Sequence, residues 1–495
     1  MAITPGSLLN MTPNPIQSTL ATNYIDFTAT ATSGWAQQYL PDLMEKEAEV
    51  FGNRTISGFL SQVGAEEPMT SDQVVWSEQG RLHLAYTGTV AIATSVVTIT
   101  GHAGSNATYV PASHGLRVGD TVLVAMATGF TIPCRIVLAA AGTDLITCLP
   151  YGGANITNLT GTLGNGAAVT VLKYGSEWPK GSDTPYATAN EPDFTAYSNK
   201  PVTIRDMYHV SGSDAAQIGW VETTGEDGQS GYLWYLKAEG ETRMRFTDNL
   251  EMTCLEGVRP VAGSQLDVET LSGSPLVTPV ATTGVTFGTE GLFASITNRG
   301  NGSAGILGLS CAVDLAEFDA ILAEFDSQGA IEENMMFLDR TTSLAVDDML
   351  ACMNSYGAGG TSYGVFDNSE NMALNLGFSG FRRGSYDFYK SDWKYLNDAG
   401  TRGAINARDV VNAVRGVIVP AGVSSVYDQM LGKNLKRPFL HVRYRASQTD
   451  NRRFKTWVTG SVGAATSELD AMRVNYLSER CLVTQGANNF MLIKG

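Results

Sequence analysis

Charge is what this chain has least of. Only 17% of its 495 residues are charged, and residues 1–41 carry a single charged side chain, Asp26. No stretch of 18 apolar residues runs uninterrupted, so no transmembrane helix is expected. The N-terminus lacks a basic region followed by an apolar run, so no secretory signal is expected. None of the six cysteines (Cys134, Cys148, Cys254, Cys311, Cys352, Cys481) forms a C-x-x-C pair. They read as reduced, mostly buried thiols. His83, His102, His114, His209 and His441 contain no H-E-x-x-H and no i, i+4 pair, which removes the common zinc signatures. The acids Asp314, Glu317, Asp319, Glu324 and Asp326 sit on a helical pattern without the loop of a calcium site. No phosphate-binding G-x-x-x-x-G-K-[ST] occurs. The expectation is a protein with no cofactor, no metal and no catalytic residues.

One enzymatic motif is present. Gly360-Thr361-Ser362-Tyr363-Gly364 matches G-x-S-x-G, and His441, with Asp387, Asp392 or Asp409 before it, would complete the chain order of a hydrolase. A nucleophile elbow needs a strand before the serine and a helix after it. Here a helix and a glycine cluster precede it, and Val365-Phe366-Asp367-Asn368 starts no helix. In a chain with 53 glycines the match arises easily by chance.

What is there begins with the nearly uncharged arm, residues 1–41. Pro5, Pro13, Pro15 and Pro41 exclude a long helix, and its apolar residues follow no period of 2 or 3.6. An ordered arm of that kind must lie against something, either its own domain, since termini do get tied down, or, in the sharper reading, another copy of the chain. Charge then arrives with one sign. Between 42 and 80, Asp42, Glu45, Glu47, Glu49, Glu66, Glu67, Asp72 and Glu78 face only Lys46 and Arg54, and residues 40–51 fit a short amphipathic helix. The opposite sign gathers between 431 and 455, where Lys433, Lys436, Arg437, Arg443, Arg445, Arg452, Arg453 and Lys455 face only Asp450. Opposite patches that cannot reach each other within one chain make a head-to-tail contact between copies. The basic run could instead meet a nucleic-acid backbone. The net charge of −16 argues against a general nucleic-acid binder.

Between 89 and 173 only Arg117, Asp120, Arg135, Asp144 and Lys173 are charged, and Val, Ile and Thr alternate between glycines. This predicts a small inserted β-barrel. Residues 202–221 and 232–255 read as helices, the second a rod of roughly 36 Å at ~1.5 Å per residue. Phe318, Ile321, Leu322 and Phe325 mark one face of a helix over 313–326. Residues 344–353 read as a helix. Residues 335–338, 372–378, 387–390 and 414–419 suggest a mixed sheet. Residues 439–446 and 453–458 suggest a hairpin, and 480–484 a strand.

This order of segments resembles that of the major capsid proteins of tailed double-stranded DNA bacteriophages. Trp76-Ser77-Glu78-Gln79-Gly80-Arg81-Leu82 looks like the start of their extended loop, and Pro201-Val202-Thr203-Ile204-Arg205-Asp206 like its end. Residues 231–255 look like the spine helix, and the run from Thr466 to Gly495 like the last peripheral segment. The texture is similar to the capsid proteins of crAss-like phages. The resemblance implies an α+β, HK97-like major capsid fold. The divisions would be an arm and acidic helix (1–75), an extended loop (76–200) containing the barrel (89–173), a peripheral domain with the spine helix (201–300), an axial domain (301–425) and a C-terminal return (426–495). It implies a shell subunit in hexamers and pentamers around packaged DNA, touched by weak backbone contacts. Portal, decoration or scaffold proteins would be partners, and no membrane would be. The place would be the virion, after assembly in the host bacterial cytoplasm. Retention of Met1 would mean that no N-terminal pro-segment is removed. Asp42, Glu45, Glu49, Glu66 and Glu67 would form the acidic side of an intersubunit contact, and Arg437, Arg443, Arg445, Arg452 and Arg453 the basic side. Trp76 and Trp178 would flank the two legs of the loop. The other readings are a serine hydrolase using Ser362 and a polymerising tail or accessory virion protein.

Overall fold

The computed structural model describes residues 58–60, 65–79, 84–103, 111, 114–139, 142–156, 166–181, 194–213, 222–224, 230–260, 288–303, 306, 308, 311–329, 331–355, 380–406, 413–421, 423–428, 433–461 and 466–495. The arm, the acidic stretch around Asp42, and the segment around Ser362 lie outside them, as does the expected strand at 372–378.

In chain order the first strands are β1 (Ala65–Met69), β2 (Val74–Gln79), β3 (Ala85–Ala91), β4 (Val96–His102), β5 (Asp120–Met126), β6 (Thr131–Ala139), β7 (Leu145–Pro150) and β8 (Ala167–Ser176). Then come β9 (Phe194–Asn199), β10 (Val202–Ser211), β11 (Glu222–Thr224), β12 (Ser230–Tyr232) and the helices α1 (Leu233–Glu256) and α2 (Leu292–Arg299). They are followed by β13 (Asn301–Ser303), α3 (Cys311–Gln328), β14 (Glu333–Leu338), α4 (Arg340–Ser355), β15 (Gly380–Arg383), β16 (Tyr386–Asp392) and α5 (Lys394–Asn397). The chain closes with β17 (Val414–Pro420), β18 (Val423–Asp428), β19 (Lys433–Pro438), β20 (Leu440–Arg445), β21 (Lys455–Gly460), β22 (Ala471–Thr484) and β23 (Met491–Lys494). Two compact units result, one from residues 1–76 and 198–495, the other from 77–197.

The smaller unit is a closed barrel in the order β3-β4-β7-β6-β5-β8. Its strands alternate buried and outward residues, as in β3 and β4, which is the period-2 signature of a one-sided core. Val97, Val122, Ile136, Ile146 and Val171 fill the interior together with Cys134 and Cys148. Closure leaves no edge strand. Gly119, at φ +90°, lets the chain turn into β5 directly beneath the ring of Trp178, where a Cβ would collide with the indole.

The larger unit is built on two sheets. The first has the order β1-β20-β22-β10, with β21 also on β22. Residues 202–211 were expected to be helical; they form a strand paired residue for residue with β22 from Arg480 to Ala471. Ile204 and Tyr208 pack on Phe246 and Leu250 of α1, whereas Thr203, Arg205, Met207 and His209 are exposed. That alternation suits a strand, and only a partner more than 250 positions away could select it over a helix. The expected hairpin of 439–446 and 453–458 is also corrected. β20 pairs with Leu440–Tyr444 against Thr484–Arg480, and β21 with Lys455–Gly460 against Leu477–Met472. The two strands lie end to end along β22, because the 14-residue β22 offers a ladder longer than either.

The second sheet runs β13-β23-β17-β14-β16-β15 and mixes parallel with antiparallel pairs. It is covered on both faces, so its central strand β17 (Val-Arg-Gly-Val-Ile-Val-Pro) is buried throughout. On one face Ile418, Met336 and Ile493 meet Phe318, Ile321 and Phe325 of α3 and Val346 and Met349 of α4. On the other, Val417, Phe337 and Leu492 meet Leu292 and Ile296 of α2, Trp393 and Phe59, in a core shared with Leu440, Val442 and Leu482 of the first sheet. Asp339 caps α4 by accepting the Thr342 amide at 2.7 Å.

Cys134, Cys148, Cys254 and Cys481 are all buried. Burial pushes each thiol up to about 12. At pH 8 a disulfide-exchange reagent is expected to leave these four unmodified in the folded protein and to label them in denaturant, read by peptide mass spectrometry.

Candidate functional site

Glu66, Glu67, Asp72, Arg443, Arg445, Arg452 and Arg453, all singled out from sequence, converge at the edge of the first sheet. β1 runs parallel to β20, with Glu66 beside Val442 and Glu67 beside Arg443. Successive residues of β1 point to opposite faces, so the two acids serve both sides of the sheet. Glu67 binds Arg443 at 2.8 Å. Glu66 binds Arg453 and, at 3.2 Å, Arg480. Asp72 binds Arg445, whose Nε donates to Glu479 at 2.6 Å. Arg452 reaches the same Glu479 at 2.9 Å. Lys455 holds Asp450 at 2.8 Å, and this hydrogen bond lowers the Asp450 carboxyl below its usual range.

The premise that the acidic and basic stretches cannot meet within one chain therefore does not hold for Glu66, Glu67, Arg443, Arg445 and Arg453. Their charges are matched inside the chain, and Arg452 is matched by Glu479. Asp42, Glu45 and Glu49 lie outside the described residues. Arg437 sits on β19 opposite Ser424. Trp76 is buried with the Arg299 guanidinium 5.5 Å from its ring centroid. Trp178 lies under Arg135 at 5.8 Å.

Sequence reading missed Glu479 and Arg480. Their signal was there: two charges inside the run Asn475 to Val483, which is otherwise apolar or small. Glu479 is buried, and two arginines neutralise it. The Glu66 and Glu67 pairs lie nearer the surface, at 29% and 27% exposed, where an ion pair contributes about 0.2–1 kcal/mol. A Glu66→Gln, Glu67→Gln variant is expected to lose about 0.5–2 kcal/mol in total. The loss should shrink in 1 M salt, as denaturant midpoints at two salt concentrations would show.

Among the described residues no hydrolytic constellation is assembled. Ser362 and Asp409 lie outside the described residues. The His441 ring is buried on β20 between the Pro438 carbonyl (3.3 Å) and Arg443 Nε (3.4 Å). Asp392 pairs with Arg340 at 2.5 Å and Asp387 with Arg382 at 3.6 Å. Among the described residues no group of three His, Cys, Asp or Glu side chains could hold a metal ion. No described helix is long and apolar enough to cross a membrane.

No protein-family model matches the chain, and no curated protein matches it. Several solved structures are similar to it. A chain from Mycobacterium phage Ogopogo is 10% identical with a TM-score of 0.39, over 94% of this chain and 99% of that one. A chain from the capsid of a native GTA particle is 9% identical with a TM-score of 0.36, over 95% and 99%. A chain from the mature capsid of bacteriophage PhiM1 is 10% identical with a TM-score of 0.32, over 64% and 79%.

Proposed function

We propose that this chain is a structural, non-enzymatic shell subunit: the major capsid protein of a tailed double-stranded DNA bacteriophage, with an HK97-like fold. The observation that carries this reading is α1. It lies along the β10–β22 ladder and leads to a second, two-faced sheet, while the C-terminal strands return to both. In that reading α1 is the spine helix, the first sheet belongs to the peripheral part, and the six-stranded sheet with α3 and α4 is the axial part. The paired β2 and β9 are the legs of the extended loop, and the barrel is its insertion. Residues 1–41, with Asp26 as their one charge, support the same reading, because so neutral a stretch would be a liability on a lone molecule.

The subunits would form hexamers and pentamers, with portal, decoration or scaffold proteins as partners. The enclosed DNA would be touched only weakly. Assembly would take place in the host cytoplasm, and the crAss-like texture would place the phage. Asp42, Glu45, Glu49 and Arg437 carry the intersubunit charge reading forward; the other groups are already matched within the chain. Deleting residues 1–41 is expected to leave a folded, soluble protein that builds no shells by negative-stain microscopy. Normal shells from the truncated chain would refute the role of the arm. Tubes from the intact chain would replace the shell with a tail-like polymer.

A further inference from the structure

We propose that the outward face of β8, β5, β6 and β7 of the barrel binds the same face of a second copy of this chain across a two-fold axis. On this face the outward positions are large and apolar. Leu172 stands opposite Leu123, and Leu123 opposite Pro133, whose carbonyl accepts the Tyr151 amide at 3.3 Å. In the next row Arg135 stands opposite Leu149. Tyr151, Tyr174, Leu149 and Leu172 are 52%, 54%, 40% and 41% exposed. The other side of the same barrel differs. There β3 and β4 alternate buried residues with Thr87, Thr89, Thr98 and Thr100. A barrel needs no outward leucines or tyrosines for its own core, so the asymmetry marks a face built to be covered.

Charge decides what covers it. The apolar rows carry one cation, Arg135, and beside it one anion, Glu177. Arg135 Nε donates to the Glu177 backbone carbonyl at 3.1 Å, and the Tyr151 hydroxyl donates to the Glu177 carboxylate. A single cation is too little for a nucleic-acid backbone. A face of balanced charge, with arginine and tyrosines amid leucines, matches the centre of a protein interface. Because the two charges adjoin, a two-fold axis sets Arg135 of each copy against Glu177 of the other, so the surface is its own complement. With no edge strand in a closed barrel, the contact must be face to face.

Position-specific cross-linking of the full-length protein tests this, on assembled particles and on unassembled chain alike. A Leu149→Cys variant treated with a short bis-maleimide is expected to give a covalent dimer, and Thr100→Cys on the far side is expected to give none. A Leu149→Asp, Leu172→Asp variant should keep its barrel, read by circular dichroism. By sedimentation it should weaken that dimer at least ~100-fold, since pairing would bury four uncompensated carboxylates. Equal cross-linking at both positions, none at Leu149→Cys, or undiminished pairing of the Asp variant would overturn the proposal. Shell formation without barrel cross-links would overturn it while leaving the shell reading intact.

Discussion

Replacing Asp347 with alanine is expected to destabilise the larger unit by about 3–5 kcal/mol. Asp347 on α4 meets Lys390 on β16 at 2.5 Å, with the two side chains only 10% and 6% exposed. Lys390 has one other acceptor there, the Ser343 carbonyl at 3.2 Å. Removing the carboxylate leaves a buried ammonium charge held by the Ser343 carbonyl with no anion to balance it. The Coulomb attraction is not the source of the loss, because desolvation offsets much of it in the intact pair. The double variant Asp347→Leu, Lys390→Met should therefore recover most of what the single change loses. A double-mutant cycle in urea, followed by hydrogen exchange of β14 and β16, separates the two contributions. A single-variant loss below about 1 kcal/mol would mean that water reaches the pair.

Truncating Phe59 to alanine should cost a similar amount, about 3–5 kcal/mol. Its ring stacks on Trp393 at 4.5 Å and meets the edge of Phe337 at 4.6 Å. The amides of Gly58, Phe59 and Leu60 donate to Glu251 of α1 at 2.8, 2.7 and 3.3 Å. Burial pushes that carboxyl up against the three amides that pull it down. Phe59 and Glu251 thus form a two-point anchor by which the first described residues join the core. Phe59→Ala is expected to expose residues near 58–60 to proteolysis as well as lowering the urea midpoint. Phe59→Leu should lose less than half as much. A protease pattern unchanged by Phe59→Ala would refute the anchor.

Much of the fold was legible because its periods are local. The spacing of Phe318, Ile321, Leu322 and Phe325 specifies α3, and all but Leu322 are fully buried in its core. The run Val414 to Val419 specifies a strand buried on both faces. The alternation of Val, Ile and Thr specifies barrel strands, and the sparse charge of that stretch matches their closed packing. Elements whose identity depends on a distant neighbour were not legible. Residues 202–211 satisfy helix and strand patterns alike, and β22 chooses between them. The strands at 440–445 and 455–460 are close enough in sequence to pair with each other, yet both prefer the longer ladder of β22.

The candidate site divides the same way. The amino-acid order alone determined that an acidic stretch and a basic stretch exist, that no metal or nucleotide motif accompanies them, and that residues 1–41 carry one charge, Asp26. Composition and spacing are properties of the chain as written, so no folding is needed to know them. Which charges meet was decided only by tertiary structure. Asp72 finds Arg445 across 373 positions because β1 enters parallel to β20. Coulomb attraction has no direction and would accept many pairings; the backbone ladder of the sheet sets the register that selects one.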